Sequence, residues 1–145
     1  VCSSDLPALQ VRTLNAIAAA DDVVVPCTAD VSSVAGMGDL LDCIVQMGEI
    51  VRGAGPRVAG ILVTRYDARN NLEPEMLARI AEIAGEYGVP LLGRGVRNTV
   101  SARKAQRNGE PLREFAPLST AALDYEEAVS AYLALVGAEG GGRDK

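Results

Sequence analysis

The sequence predicts an α/β fold in which parallel strands lie between layers of helices. Short apolar segments rich in β-branched residues alternate with longer segments whose apolar residues recur at helical spacing. Aromatic residues are scarce, with no Trp, one Phe and four Tyr in 145 residues, so the core must consist of Ala, Val, Leu and Ile. The strongest strand candidate, Val58 to Tyr66, runs directly into a dense polar cluster. Ligands bind beyond the carboxyl ends of the strands in such sheets, and we therefore expect the functional site at this cluster.

The first elements are a short helix, a strand and a long helix. Thr13 to Ala20 has helical spacing, and Val23 to Cys27 is a continuous apolar segment typical of a buried strand. Ser32 or Ser33 can cap the long helix, which the segment Gly53–Pro56 ends. The positions expected to face the core are Leu14, Ile17 and Ala18 in the first helix and Met37, Leu40, Leu41, Ile44, Met47 and Val51 in the second.

A third helix follows the Val58–Tyr66 strand. Asn71 can cap it, Pro74 is tolerated in its first turn, and Gly88 stops it. Its expected core positions are Met76, Ile80, Ile83 and Tyr87.

The last third of the chain is expected to hold a short strand and a final helix. Val89 to Leu92 is the strand, and a basic segment follows it. Ser119 opens the helix and Gly137 ends it. The positions expected on its inner face are Ala122, Tyr125, Val129, Tyr132 and Val136.

Composition excludes several classes of function. With no histidine and three widely separated cysteines, zinc sites and histidine-based catalytic triads are excluded. The scarcity of aromatic residues leaves no platform for stacking the bases of single-stranded nucleic acid. No apolar run approaches the ~20 residues of a membrane span, and no secretory signal is visible at the start. These features favour a reducing, cytoplasmic location.

A basic island stands out on an acidic chain. Residues 94–113 carry six basic side chains against Glu110 alone, whereas the whole chain has a net charge of −5. One interpretation is a solvated helix face, and the other is a surface for an anionic partner such as nucleotide phosphates or a nucleic-acid backbone. The basic residues are Arg94, Arg97, Arg103, Lys104, Arg107 and Arg113.

Several segments together carry a family resemblance. They are Thr13–Asp21 followed by Val23–Pro26, the strand and loop Gly60–Leu72, Val96-Arg97 with Ala105–Pro111, Glu114–Pro117 with Ser119, and Asp124-Tyr125. In this order, over about Pro7 to Val136, they resemble the ParA/Soj/MinD family of deviant Walker ATPases. The resemblance implies a three-layer parallel sheet of the P-loop NTPase type, of which this chain is the carboxyl-terminal part. This agrees with the thin sheet of three strands that the pattern itself predicts.

The resemblance also implies cofactors and partners. The family binds ATP with Mg²⁺ and dimerises around the nucleotide. Its partition-type members bind DNA nonspecifically and work with a ParB-like partner protein in plasmid or chromosome segregation. The expected protein is therefore a cytoplasmic, nucleoid-associated homodimer that does not bind membranes.

The phosphate-binding part of that machinery is not found in the sequence. The family holds phosphates with a Gly-rich loop carrying lysine, whereas no Gly-x-x-x-x-Gly-Lys-[Ser/Thr] motif occurs here. We therefore expect no catalytic residue and no ATP hydrolysis by this fragment alone. Residues 1–6 are expected to be a non-native or truncation junction, because Ser4 aligns with the family's magnesium-shell Asp. Residues 7–137 are then the carboxyl-terminal part of the ATPase domain, and residues 138–145 a flexible tail.

The family alignment assigns roles to individual residues. The residues expected at the adenine base are Thr64, Arg65, Tyr66 and Arg94. A salt bridge from Arg65 to Asp67 is the structural alternative for that arginine. The residues expected to contact DNA phosphates are Arg69, Arg97, Arg103, Lys104 and Arg107, of which Arg103 and Arg107 are one helical turn apart.

A second function stays open beside the partition ATPase. The chain could belong to a MinD-like or other noncatalytic relative that acts on protein or membrane partners. MinD-like proteins carry a carboxyl-terminal amphipathic helix, and the Gly-rich end of this sequence lacks one, which favours DNA over membrane.

Overall fold

The computed structural model describes residues 11–50, 56–67, 69–70 and 72–140. The elements in chain order are α1 (Val11–Ala18), β1 (Asp22–Thr28), α2 (Val31–Ile50), β2 (Arg57–Thr64), α3 (Glu73–Glu86), α4 (Val100–Asn108), α5 (Leu112–Phe115) and α6 (Thr120–Gly140). The predicted α/β alternation is confirmed. The predictions for residues 1–6, Val51, Gly53, Gly55 and the end beyond residue 140 fall outside the described residues.

Strands β1 and β2 form a parallel pair. Val25 lies opposite Ile61 and Cys27 lies opposite Val63. These four apolar side chains therefore lie on the same face of the sheet. β1 extends one residue past the predicted end, to Thr28, and β2 ends at Thr64 rather than Tyr66.

The predicted third strand, residues 89–92, is reduced to one bridge. Leu91 pairs with Ile61 in parallel, with Ile61 donating to the Pro90 carbonyl and Leu92 donating to the Ile61 carbonyl, both at 2.9 Å. Pro90 has no N–H to donate, and Gly93 turns the chain at a φ of 71°. The strand prediction was therefore too long.

Helix α2 begins two or three positions earlier than predicted, because Asp30 caps it in place of Ser32 or Ser33. The Asp30 carboxylate accepts from the Ser33 backbone N–H at 2.9 Å, and Ser32 and Ser33 lie inside the helix. For α3 the cap position is Leu72, which offers no side-chain bond, and the predicted cap, Asn71, lies outside the described residues. Pro74 lies in the first turn, and Gly88 follows the helix at a φ of 65°, as predicted.

One face of the sheet carries the main core. Helices α2 and α3 cover it, and Leu41, Ile61 and Ile80 are almost completely inaccessible to solvent. The predicted core positions of α2 and α3 are confirmed as buried or half-buried, whereas Ala18 of α1 is exposed. The aliphatic residues that pack there are Val25, Cys27, Val34, Met37, Leu41, Ile61, Val63, Ile80 and Ala84.

Helix α6 packs on the opposite face, and its predicted inner face is confirmed only in part. Ser119 caps it, accepting from the Ala122 backbone N–H at 3.3 Å, but the helix continues past Gly137 to Gly140. The predicted Ala122 is buried and the predicted Tyr132 and Val136 are half-buried, whereas the predicted Tyr125 and Val129 are exposed. The other buried positions are Ala121, Asp124 and Ala128. Small side chains let the helix approach closely, since a Cβ on Gly93 would lie 3.4 Å from the Ala128 backbone nitrogen.

Candidate functional site

A polar cleft of about 320 Å³ lies at the carboxyl edge of the sheet. Thr28 ends β1 there, and Arg65 directly follows β2. Asn98 directly follows Arg97, which forms a parallel β-bridge with Tyr66. The structure thus brings part of the predicted polar cluster together with residues from two other segments. The lining residues are Thr28, Ala29, Asp30, Arg65, Asp67, Asn70, Glu73 and Asn98.

Arg65 adopts a backbone conformation that is uncommon for a residue with a side chain. Its φ is +59°, and every other residue with a positive φ in the described part of the chain is a glycine. The chain on its carboxyl side is firmly held, because Tyr66 donates to the Val96 carbonyl at 2.9 Å and Asn98 donates to the Tyr66 carbonyl at 2.8 Å. Arg65 is exposed and makes no ion pair within the described residues.

The carboxylates in the cleft are occupied by local hydrogen bonds. Asp30 accepts from the Thr28 hydroxyl and from both the backbone N–H and the hydroxyl of Ser33. These bonds lower the pKa of Asp30 to about 2, so its negative charge persists at neutral pH. Asp30 therefore serves as a helix cap, and no general base follows from its position.

The loop after β2 is closed by Asp67 and Glu73. Asp67 Oδ1 accepts from the backbone N–H of Arg69 at 3.1 Å and from its Nε at 3.3 Å, which lowers the pKa of Asp67. Glu73 accepts from the Asp67 backbone N–H and from Asn70 Nδ2. Asp67 thus pairs with Arg69 rather than with Arg65, and the Arg69 side chain still extends into solvent, 91% exposed.

Of the residues predicted to contact the adenine base, only Arg65 lines this cleft. Arg65 lines it, whereas Thr64 is the half-buried last residue of β2 and Tyr66 takes part through its backbone. Arg94 lies between two glycines of positive φ, Gly93 and Gly95, and donates from Nε to Glu127 of α6 at 2.9 Å. It therefore sits against α6 and outside the cleft lining.

Arg97, predicted as a DNA contact, has a strong partner within the chain. Its backbone N–H, Nε and Nη2 donate to the Asp124 carboxylate at 3.0, 2.9 and 2.7 Å. Asp124 is buried at 4% exposure, and the bonds from Arg97 lower its pKa. The sequence analysis named Asp124 only as part of a family segment and missed its pairing with Arg97, because no local pattern connects residues 27 positions apart.

Helix α4 presents the other predicted DNA contacts. Thr99 caps it by accepting from the Ala102 backbone N–H at 3.2 Å, and Gly109 ends it at a φ of 70°. Ala105 is buried, whereas Arg103, Lys104 and Arg107 are exposed. None of these three cations has an ion-pair partner in the described part of the chain, so α4 carries an uncompensated positive face.

The described residues form neither a membrane span nor a cluster of metal ligands. No helix among them is long and apolar enough to cross a membrane. No cluster of three or more potential metal ligands occurs in the same residues.

Comparison with known proteins gives relatives for most of the chain. No family model matches. The chain is 32% identical over 132 residues to the chromosome-partitioning ATPase Soj of Thermus thermophilus, covering 90% of this chain and 51% of Soj. It is 32% identical over 109 residues to the chromosome partitioning protein ParA of Caulobacter vibrioides, covering 73% and 38%. An uncharacterised protein of Mycobacterium tuberculosis is 31% identical over 121 residues, covering 82% and 36%.

Solved structures share the fold. The cell division ATPase MinD of Pyrococcus furiosus matches with a TM-score of 0.65 and 19% identity, covering 88% of this chain and 48% of MinD. MinD of Pyrococcus horikoshii, complexed with Mg-ADP, matches with a TM-score of 0.64 and 20% identity, covering 90% and 49%. The chain spans about half the length of these proteins or less. It belongs to the ParA/Soj/MinD family, of which it represents the carboxyl-terminal portion.

Proposed function

We propose that this chain is the carboxyl-terminal portion of a partition ATPase, an ATP-dependent switch that binds DNA nonspecifically in plasmid or chromosome segregation. The observation that carries the proposal is the uncompensated positive face of α4. Relatives named for chromosome partitioning, Soj and ParA, support the cellular role.

The face of α4 suits a phosphate backbone. Arg103 and Arg107 are one turn apart and Lys104 lies beside them, so three cations project from one short helix. Each phosphate neutralised by such a cation releases condensed counterions, which makes binding independent of base sequence and sensitive to salt. Arg69 adds an exposed guanidinium at the carboxyl edge of the sheet, although Asp67 already compensates part of its charge.

Arg97 contributes to this surface in a different way. Its guanidinium already donates two hydrogen bonds to Asp124, so a DNA phosphate would have to compete with both. We propose that Arg97 mainly holds the segment before α4 against α6 and thereby orients the basic helix.

The nucleotide site is proposed for the full-length protein. The cleft fits a base better than phosphates, because Asp30, Asp67 and Glu73 would repel phosphate groups while Arg65 and the amides of Asn70 and Asn98 offer hydrogen bonds. We propose that Thr64, Arg65 and Tyr66 form the base side of an ATP site, with Mg²⁺ and the phosphates held by the rest of the protein. Arg94 can join them only by giving up Glu127. Dimerisation around ATP, a ParB-like partner and association with the nucleoid belong to the same proposal.

A DNA-binding titration of the full-length protein tests this function. We expect binding of random-sequence duplex only with ATP, and an affinity that falls steeply with salt. Neutralising Arg103, Lys104 and Arg107 to Gln should weaken binding and reduce the salt slope by about 3, because each cation that pairs with a phosphate accounts for about 1. The matched control is Arg79→Gln on α3, whose side chain pairs with Glu82 instead.

Two outcomes would contradict the proposal. One is DNA binding that is absent or insensitive to salt. The other is ATP-dependent binding to anionic lipid vesicles in place of DNA, which would favour the MinD-like alternative.

A further inference from the structure

An acidic stretch near the start of α6, residues 124–127, compensates part of the basic island. Each of its three carboxylates pairs with one arginine of residues 94–113, whereas the three cations of α4 have no ion-pair partner in the described residues. The basic island therefore consists of a free half on α4 and a compensated half beside it. The pairs are Asp124–Arg97, Glu126–Arg113 and Glu127–Arg94.

The three ion pairs differ in how firmly they are held. The Asp124 side chain is only 3% exposed, and its pair is part of the interior. By contrast, Glu126 and Glu127 are 49% and 41% exposed, and their arginine partners are 83% and 74% exposed. Arg113 Nε lies 3.6 Å from Glu126 Oε1, which is too long for a good hydrogen bond, and Arg94 Nε lies 2.9 Å from Glu127 Oε2. Exposed pairs of this kind contribute little to stability, so both arginines can change partner at small cost.

Both exposed arginines lie close to the basic helix. Arg113 belongs to α5, which contacts α4. Arg94 precedes Arg97 by three residues, and α4 begins three residues after Arg97. The hydrogen bonds from Arg97, with a smaller effect of the Arg94 charge, lower the pKa of Asp124, which places Arg94 beside the same carboxylate. The two arginines are therefore within the surface proposed for DNA.

We propose that Glu126 and Glu127 compete with DNA phosphates for Arg113 and Arg94 and so limit the DNA-binding surface to α4. A carboxylate offers a guanidinium the same kind of negatively charged oxygen acceptors as a phosphate. While the two glutamates hold these arginines, DNA gains only the cations of α4. This inference rests on the proposed function and deepens it, because it assigns to α6 the control of how many cations meet the DNA.

The salt dependence of DNA binding by the full-length protein tests the inference. Glu126→Gln with Glu127→Gln keeps the size of both side chains and removes the competing charges. We expect this double variant, with ATP, to bind random-sequence duplex about 10-fold more tightly at low salt. We also expect a salt slope steeper by about 2, because each newly engaged cation accounts for about 1.

Two sets of variants separate local competition from a general effect of net charge. Adding Arg94→Gln and Arg113→Gln to the double variant should abolish the gain, whereas the same two substitutions in the natural protein should leave the slope nearly unchanged. The matched control is Glu82→Gln with Glu86→Gln on α3, where both side chains are exposed and the change in net charge is the same. The control should not steepen the slope.

The outcomes distinguish this inference from the proposed function. Salt-dependent binding by the natural protein with an unchanged slope in the double variant would overturn the inference and leave the proposed function standing. A gain that persists without Arg94 and Arg113, or that the α3 control reproduces, would overturn it as well. DNA binding that is absent from both the natural protein and the double variant would overturn the inference together with the proposed function.

Discussion

Arg97 and Asp124 join the segment before α4 to the first turns of α6 through three hydrogen bonds to one buried carboxylate. Tyr132, two turns further along α6, donates to Asp22 Oδ2 at 3.2 Å, and Asp22 also accepts from Arg57 Nε at 2.7 Å. Polar contacts therefore anchor α6 at two points, two turns apart along the helix. The position of this helix, and with it the orientation of α4, depends strongly on these contacts.

Arg97→Ala should destabilise the chain. The substitution leaves the Asp124 carboxylate, whose side chain is 3% exposed, with only one of its three hydrogen bonds. We expect the free energy of unfolding to fall by about 2 kcal/mol, the order of cost for a buried polar group left without partners. Urea denaturation of the two chains measures this loss in the free energy of unfolding. Arg94→Ala is the control, because its pair with Glu127 is solvent-exposed and should be worth at most about 1 kcal/mol. Equal losses in the two variants would contradict the assigned role of Asp124.

The same pair should make stability depend on acid pH. The hydrogen bonds from Arg97 hold the pKa of Asp124 below its ordinary value, so the folded state binds this proton less readily than the unfolded state. The stabilisation is then fully present above a pH of about 4, the unfolded pKa, and is lost as the pH falls through the folded pKa. The difference in unfolding free energy between the natural chain and Asp124→Asn should shrink from pH 6 to pH 3. A constant difference over that range would show that Asp124 does not carry this dependence.

Arg65 offers a way to separate backbone strain from ligand binding. At a φ of +59° an arginine costs about 1 kcal/mol more than glycine, so Arg65→Gly should leave stability unchanged or raise it slightly. Arg65→Val should lower the melting temperature, since a β-branched residue resists this conformation. In the full-length protein, Arg65→Gly should nevertheless weaken nucleotide binding if the guanidinium contacts the base. Unchanged nucleotide affinity, measured by titration calorimetry, would remove Arg65 from the proposed site.

Cys27 should be chemically inert in the folded protein. Burial, with a smaller effect of the nearby Asp30 charge, raises the pKa of its thiol to about 11. At pH 8 only about one thiol in a thousand would be ionised, even before access is considered. In a Cys2→Ser chain, Ellman's reagent should titrate almost no thiol until urea exposes Cys27 and Cys43 together. Rapid reaction of Cys27 in native buffer would contradict its burial between β1 and α2.

Local signals predicted the elements well where the pattern was long or chemically specific. Helical spacing located Met37, Leu41 and Ile80, and a serine before an apolar run located the cap at Ser119. The cap of α2 was misplaced because three potential capping residues lie within four positions, and only the backbone geometry selects Asp30. The inner face of α6 was misjudged only at Tyr125 and Val129, whose larger apolar side chains are exposed while small alanines approach the sheet.

The candidate site was predicted only in part for the same reason. Arg65, Asp67 and Asn70 follow one strand and could be grouped from sequence alone, whereas Thr28 and Asn98 reach the cleft from distant segments. The partners of Arg94 and Arg97 are residues of α6, about 30 positions away, which no local pattern connects.

The sequence by itself determined the α/β class, the aliphatic core, the polar cluster after β2 and the basic island, because each depends on residue type and near-neighbour spacing. The tertiary structure alone decided which basic side chains remain available to an anionic partner. It pairs Arg94 with Glu127 and Arg97 with Asp124, and it leaves the three cations of α4 without a partner in the described residues. The physical reason is that charge compensation acts through space over a few ångströms, and only folding brings residues far apart in the chain to that distance.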